Sequence, residues 1–179
     1  MFKKINLFSK TEMKLLVFLS QKTGEMYERE IAKEAKVSVG SVNTLLKNFV
    51  SLGLLRQQKK GRMLFYSRND QSPLLRQFKV FICVNSLLPL IEKISPFSKR
   101  IILFGSCASG RNDQNSDIDL FILSDQRHSI KRIVDDYPQV QVIVLNLQEF
   151  IQLQKNDLPL FERINQGIEL FGDANGPEI

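Results

Sequence analysis

Histidine is almost missing from these 179 residues: His128 is the only one. It stands in Gln126-Arg127-His128-Ser129, ahead of a helical stretch, where it reads as a surface or capping residue. No serine or cysteine triad can be assembled around it. Cysteine is scarce too, with only Cys83 and Cys107, so no disulfide framework is expected and a reduced, cytoplasmic protein is the plain reading. Long apolar runs are lacking. The longest apolar-rich stretch, residues 80–90, is interrupted by Asn85, Ser86 and Pro89, short of the roughly 20 residues that span a bilayer. Near the start, Lys3 and Lys4 precede a brief apolar patch at 15–19 flanked by Glu12 and Lys14, which reads against a signal peptide. No membrane partner is expected. Internal repeats and low-complexity tracts are absent, and the 43% apolar and 25% charged residues are those of a globular chain.

The net charge of +6 is unevenly spread. Residues 1–79 carry 16 Lys and Arg against 6 Asp and Glu, a net +10. Residues 80–179 carry 9 against 13, a net −4. Such a split predicts two modules with different partners, the basic one facing nucleic acid.

The basic half is patterned as helices followed by strands. Ser9-Lys10-Thr11-Glu12 is a helix start, with Met13, Leu15, Leu16, Phe18 and Leu19 at helical spacing after it and Gly24 at its end. A short helix is predicted over 27–35. A turn over 37–41, with a serine cap, leads into a third helix. There Val42, Leu45, Leu46, Phe49 and Val50 recur at i, i+3, i+4, i+7 and i+8, and Gly53 stops it. Residues 54–67 read as two strands around a basic turn at Gly61. Three helices and a hairpin, with Ile31-Ala32-x-x-Ala35, Val37-Ser38-x-Gly40-Ser41-Val42 and Phe49-Val50-x-Leu52-Gly53-Leu54-Leu55, resemble a winged helix-turn-helix regulator over residues 10–69. The resemblance implies double-stranded DNA as partner. Ser38, Ser41, Asn43, Thr44 and Lys47 would face the major groove, and Lys59, Lys60 and Arg62 on the wing would meet phosphates. A homodimer is expected, through the first helix or through a connecting helix over 72–96 carrying Phe78, Phe81, Leu87 and Leu88. Pro89 is expected to kink that helix or end it early.

The acidic half holds the most specific chemistry. The apolar run 101–104 ends in Gly105-Ser106, and Asp117-Ile118-Asp119 opens a second apolar run. Strand residues alternate faces, so Asp117 and Asp119 point the same way and repel unless a cation lies between them. Paired carboxylates suit Mg²⁺ (or Mn²⁺) bridged to phosphates, and a Gly-Ser turn lets backbone and hydroxyl approach a phosphate. A metal-bound nucleoside triphosphate is the expected ligand. The pattern Gly105-Ser106, ten residues, Asp117-x-Asp119, with Leu158-Pro159-Leu160-Phe161 through Gly172, resembles the minimal nucleotidyltransferases of the DNA polymerase beta superfamily over residues 99–173. The resemblance implies Asp117 and Asp119 as catalytic metal ligands, Gly105 and Ser106 as holders of the outer phosphates, and Arg111 and Ser116 as further nucleotide contacts.

That family has a third carboxylate on the next strand. Here the strand reads Gln139-Val140-Gln141-Val142, and an amide is neither a base nor a strong metal ligand. Two functions therefore stay open. One is a DNA-binding regulator whose nucleotidyltransferase-like domain, active or degenerate, binds nucleotide. The other is an enzyme transferring a nucleoside monophosphate to a partner protein, antitoxin-fashion, or to a small molecule. The expected fold is α+β: a winged helix-turn-helix over 1–71, the connecting helix over 72–96, and a small mixed β-sheet flanked by helices over 97–179.

Overall fold

The computed structural model describes residues 9–172, so Lys3, Lys4, Asp173 and the outer ends of the two expected domains lie outside the described residues. The chain divides into two compact units, 1–76 and 77–179.

In the first unit, α1 (Lys10–Gln21) starts at a capping box: Ser9 Oγ accepts from Glu12 N at 3.3 Å and Ser9 N donates to Glu12 Oε2 at 2.7 Å. α2 (Glu28–Ala35) and α3 (Val39–Ser51) follow. Between them Lys36 takes a left-handed conformation (φ 52°), and its N–H closes α2. α3 begins earlier than the sequence led us to expect. Ser38 is its cap, accepting from Ser41 N, so Ser41 lies inside the first turn. Strands β2 (Leu55–Lys60) and β3 (Met63–Arg68) form the hairpin. A two-residue strand, β1 (Met26–Tyr27), pairs with β3 on its other side, giving the antiparallel order β1-β3-β2. Leu15, Leu16, Ile31, Val42, Leu46, Phe49 and Tyr66 are fully buried beneath these elements.

Helix α4 (Pro73–Ile94) runs across the unit boundary. Pro89 lies inside it and does not end it. The missing N–H frees only the carbonyl of Asn85, and both residues are exposed, so water can take the bond. The stretch Pro73–Phe97 is long and apolar enough to cross a bilayer by length and composition, with a mean hydropathy of 1.5 over its best window, contrary to expectation. The average tolerates Asn85, Ser86 and Pro89. Cys83, Leu87, Leu90, Ile91 and Ile94 of this helix are buried in the core of the second unit, so Leu87 belongs to that core and not to an interface.

The second unit is a four-stranded mixed sheet, order β6-β5-β4-β7. β4 (Arg100–Phe104) is antiparallel to β5 (Ile118–Leu123) and to β7 (Ile168–Gly172), and β5 is parallel to β6 (Val140–Leu145). A single turn, α5 (Gly105–Ala108), follows β4. α6 (Arg127–Val134) takes in His128 and Ser129, which the sequence placed ahead of a helix. α7 (Leu147–Asn156) and α8 (Leu158–Asn165) complete the unit. Period-two alternation divides its core. Ile101, Leu103, Leu120, Ile122 and Val144 pack with α4 and α6. Ile102, Phe104, Phe121 and Leu123 pack with Phe150 of α7 and Ile164 of α8. Phe121, Phe150 and Phe161 stack at 4.8 and 5.2 Å, each pair worth about 1 kcal/mol beyond its buried area. The fold is α+β, as expected.

Candidate functional site

The alternation of β5 decides which face carries the chemistry. Asp119 shares parity with Phe121 and Leu123, so it looks toward the α7/α8 side, and Asp117, just before the strand, follows suit. Register pairs Asp119 with Phe104 on one neighbour and with Gln141 on the other. Gly105 therefore abuts Asp119. A Cβ on Gly105 would sit 2.2 Å from Asp119 Oδ2, and its φ of 73° is a conformation that side chains rarely adopt. Glycine is favoured there by conformation, and a Cβ would push the Asp119 carboxylate aside.

Burial raises the Asp119 carboxyl above its ordinary value; the Arg163 guanidinium opposes this and the Asp117 carboxylate adds to it. Gly105, Ser106, Ala108, Ser109 and Arg111 line one side of a cleft of about 560 Å³, and Arg163, Gln166 and Gly167 line the other. Arg163 and Gln166 were not nominated from the sequence, and Gly167 figured only within the family-like stretch that ends at Gly172. No local signal marks Arg163, and only the packing of α8 on the sheet brings it here. A Cβ on Gly167 would lie 2.5 Å from Leu103 O, so this glycine is what lets the end of α8 approach β4.

Of the residues the sequence nominated, Gly105, Ser106 and Arg111 line the cleft beside Asp119. Ser116 does not join them. Its hydroxyl accepts from Asp113 N at 2.9 Å and donates to Asp113 Oδ1 at 3.2 Å, closing the turn ahead of Asp117. Lys79, buried on α4, donates to Asn112 O and fastens the same loop. Cys107 is buried on α5, with Sγ 3.6 Å from Asp117 O. Its hydrogen bond with the neighbouring Cys83 thiol lowers Cys107 and raises Cys83.

Gln141 of β6 stands level with Asp119, whereas Gln139 precedes the strand. Glu149 is committed elsewhere: it caps α7 and takes a bidentate bond from Arg127 at 2.7 and 2.9 Å. Among the described residues no three His, Cys, Asp or Glu side chains gather as a metal cluster. Two carboxylates fit one hard cation completed by phosphate oxygens better than two cations held by protein alone.

Residues 91–175 match the family model "Polymerase beta, Nucleotidyltransferase". The second unit is thus a nucleotidyltransferase-like domain. No curated protein matches the chain. A solved structure described as "Structure of TrmBL2, an archaeal chromatin protein, shows a novel mode of DNA binding" is similar at 15% identity, covering 86% of this chain and 71% of that one. Its TM-score of 0.34 is too low to carry an argument.

In the first unit, Ser41, Thr44 and Lys47 are exposed on α3, and Ser38 sits at its cap with Oγ 2.8 Å from Ser41 Oγ. Asn43 is half-buried and donates to Glu28 Oε2 at 2.8 Å. Lys60 pairs with Glu25 and lies over the Phe65 ring. Lys59 and Arg62 are exposed on the hairpin, and Arg62 shares a groove with Arg29, a residue the sequence reading passed over.

Proposed function

We propose that this protein binds double-stranded DNA through its basic first unit and a metal-bound nucleoside triphosphate through its second, the nucleotide altering DNA affinity. The observation that carries the nucleotide half is Gly105 pressed against Asp119, which sets a carboxylate beside the glycine backbone and the serine hydroxyl that line the cleft. Asp117 and Asp119 fit a Mg²⁺ or Mn²⁺ ion, which when bound would draw the phosphates to the carboxylates and screen their mutual repulsion. Ser106 offers a hydroxyl and Arg111 a guanidinium to the phosphate oxygens. Asp117 and Asp119 are the catalytic pair if transfer occurs. Gln141 cannot accept a proton from an acceptor hydroxyl, so binding without efficient transfer is the reading favoured.

The DNA half rests on the +10 charge of residues 1–79 and on the exposed Ser41, Thr44 and Lys47 of a helix that follows a short turn. Asn43 and Lys60, held by Glu28 and Glu25, contribute less. A homodimer would bury the stripe Leu74, Phe81 and Leu88, each about half exposed on α4. The stripe is symmetric about Phe81, as an isologous pairing of antiparallel helices requires.

The deciding experiment is a gel shift over a library of duplexes, repeated with Mg²⁺ and each of the four nucleoside triphosphates. Retarded complexes whose affinity changes with one triphosphate are expected. No retardation of any duplex, or retardation indifferent to every triphosphate, overturns the reading. The competing reading, transfer of a nucleoside monophosphate to a partner protein or small molecule, predicts labelled product from wild-type protein in a lysate, lost in Asp119→Ala.

A further inference from the structure

Arg163 is an exposed cation at the wall of the cleft beside Asp119. It lies on α8, the helix packed against the sheet face from which Asp119 projects. It lines the same cleft as Gly105, Ser106 and Arg111. Its guanidinium sits 5.8 Å from the centre of the Phe104 ring, whose own backbone leads straight into Gly105. A ring below a guanidinium attracts it and leaves its edge N–H groups free to turn toward a ligand. The helix itself is fixed on both sides. Ile164 is fully buried beside Arg163, and Gly167 brings the chain against the carbonyl of Leu103. Arg163 thus stands on a rigid element and faces the phosphate-binding turn across the cleft.

Its electrostatic surroundings point to an anion rather than to a permanent ion pair. Asp119 feels Arg163 electrostatically, and among the described residues no salt bridge joins the two. A cation that binds Asp117 and Asp119 would weaken the pull of those carboxylates on Arg163. The guanidinium would then turn to the incoming phosphates, where a fork of donors matches oxygen pairs.

We infer that Arg163 is a phosphate-binding residue that, together with Arg111, grips the polyphosphate tail and makes the cleft select nucleoside triphosphates over monophosphates. This rests on the nucleotide-binding half of the proposed function. It extends that half by assigning the α8 wall to recognition of phosphate-chain length.

The test is calorimetric titration of the full chain in Mg²⁺ with each nucleoside triphosphate, the matching monophosphate and inorganic tripolyphosphate. Wild type, Arg163→Ala, Arg163→Lys and the distant control Arg132→Ala are compared, with thermal melts to verify folding. Arg163→Ala should weaken triphosphate and tripolyphosphate binding about tenfold or more and leave the monophosphate unchanged. Arg163→Lys, which keeps the charge and most of the stem, should recover part of the loss. Equal triphosphate affinity in wild type and Arg163→Ala overturns the inference alone, as does an equal loss for mono- and triphosphate. No triphosphate binding by the wild type overturns the nucleotide half of the proposed function as well. Should Arg163→Ala melt early, Arg163→Gln takes its place: a ratio of tri- to monophosphate affinity lowered about tenfold supports the inference, and a ratio unchanged from wild type overturns it.

Discussion

The two neighbours of β5 treat it differently. On the β4 side, Phe104 hands the chain to Gly105 opposite Asp119, and a cleft with two arginines opens beside it. On the β6 side, the residue level with Asp119 is Gln141, an amide with no charge to offer. Under the proposed function, one flank would hold phosphate and the other would lack a group to activate an acceptor. Binding and transfer would then be separable, because they would depend on different strands.

Removing what both flanks share should have the largest effect. Asp119→Ala or Asp117→Ala should reduce Mg²⁺-dependent triphosphate binding by more than the roughly 10- to 100-fold that an outer-shell partner typically costs. Calorimetry checks this, and affinity surviving in either variant would mean that the carboxylates do not hold the cation. Restoring the poorer flank comes next. Gln141→Asp should raise nucleotide transfer by roughly 100-fold, the lower range for a positioned base. The same change at Gln139, off the strand, should do nothing. Transfer rising equally in both variants, or in neither, would break the contrast between the flanks.

Gly105→Ala attacks the better flank. A Cβ placed 2.2 Å from Asp119 Oδ2, at a φ of 73°, should lower unfolding stability by about 1–3 kcal/mol and weaken triphosphate binding. Denaturant unfolding and calorimetry report the two effects. An unchanged protein would mean that the turn has room to spare. The smallest effect concerns the other unit. Arg62→Ala and Lys59→Ala should each flatten the salt dependence of DNA affinity by about one unit of slope, without changing which sequence is preferred. Gel shifts across a salt series read this out, and a change in sequence preference would give these residues a base-reading role instead.

Much of the site was legible before folding because its rules are local. Period two places Asp117 and Asp119 on one side of their strand behind Gly105-Ser106, and the resemblance to the minimal nucleotidyltransferases drew attention to Gln141 on the next strand. The capping box at Ser9 and Glu12 was equally plain. Other features were decided elsewhere. Pro89 reads as a break, yet α4 continues because core packing of Leu87, Leu90 and Ile94 outweighs one lost bond on an exposed face. Residues 37–41 read as a turn before the third helix, yet Ser38 is the cap, because the left-handed Lys36 ends the turn early. β1 has only two residues, too few for any periodicity to register.

The sequence by itself determined the division into a basic and an acidic half, the α+β order of elements and the pairing of two carboxylates behind a Gly-Ser turn. Each depends on composition or on spacing along a single element. The tertiary structure alone decided that Gly105 touches Asp119, that Gln141 stands level with it, that Ser116 closes a turn and that Arg163 reaches the cleft. Those facts follow from strand register and from α8 settling on the sheet, and such long-range packing leaves no mark in the spacing of neighbouring residues.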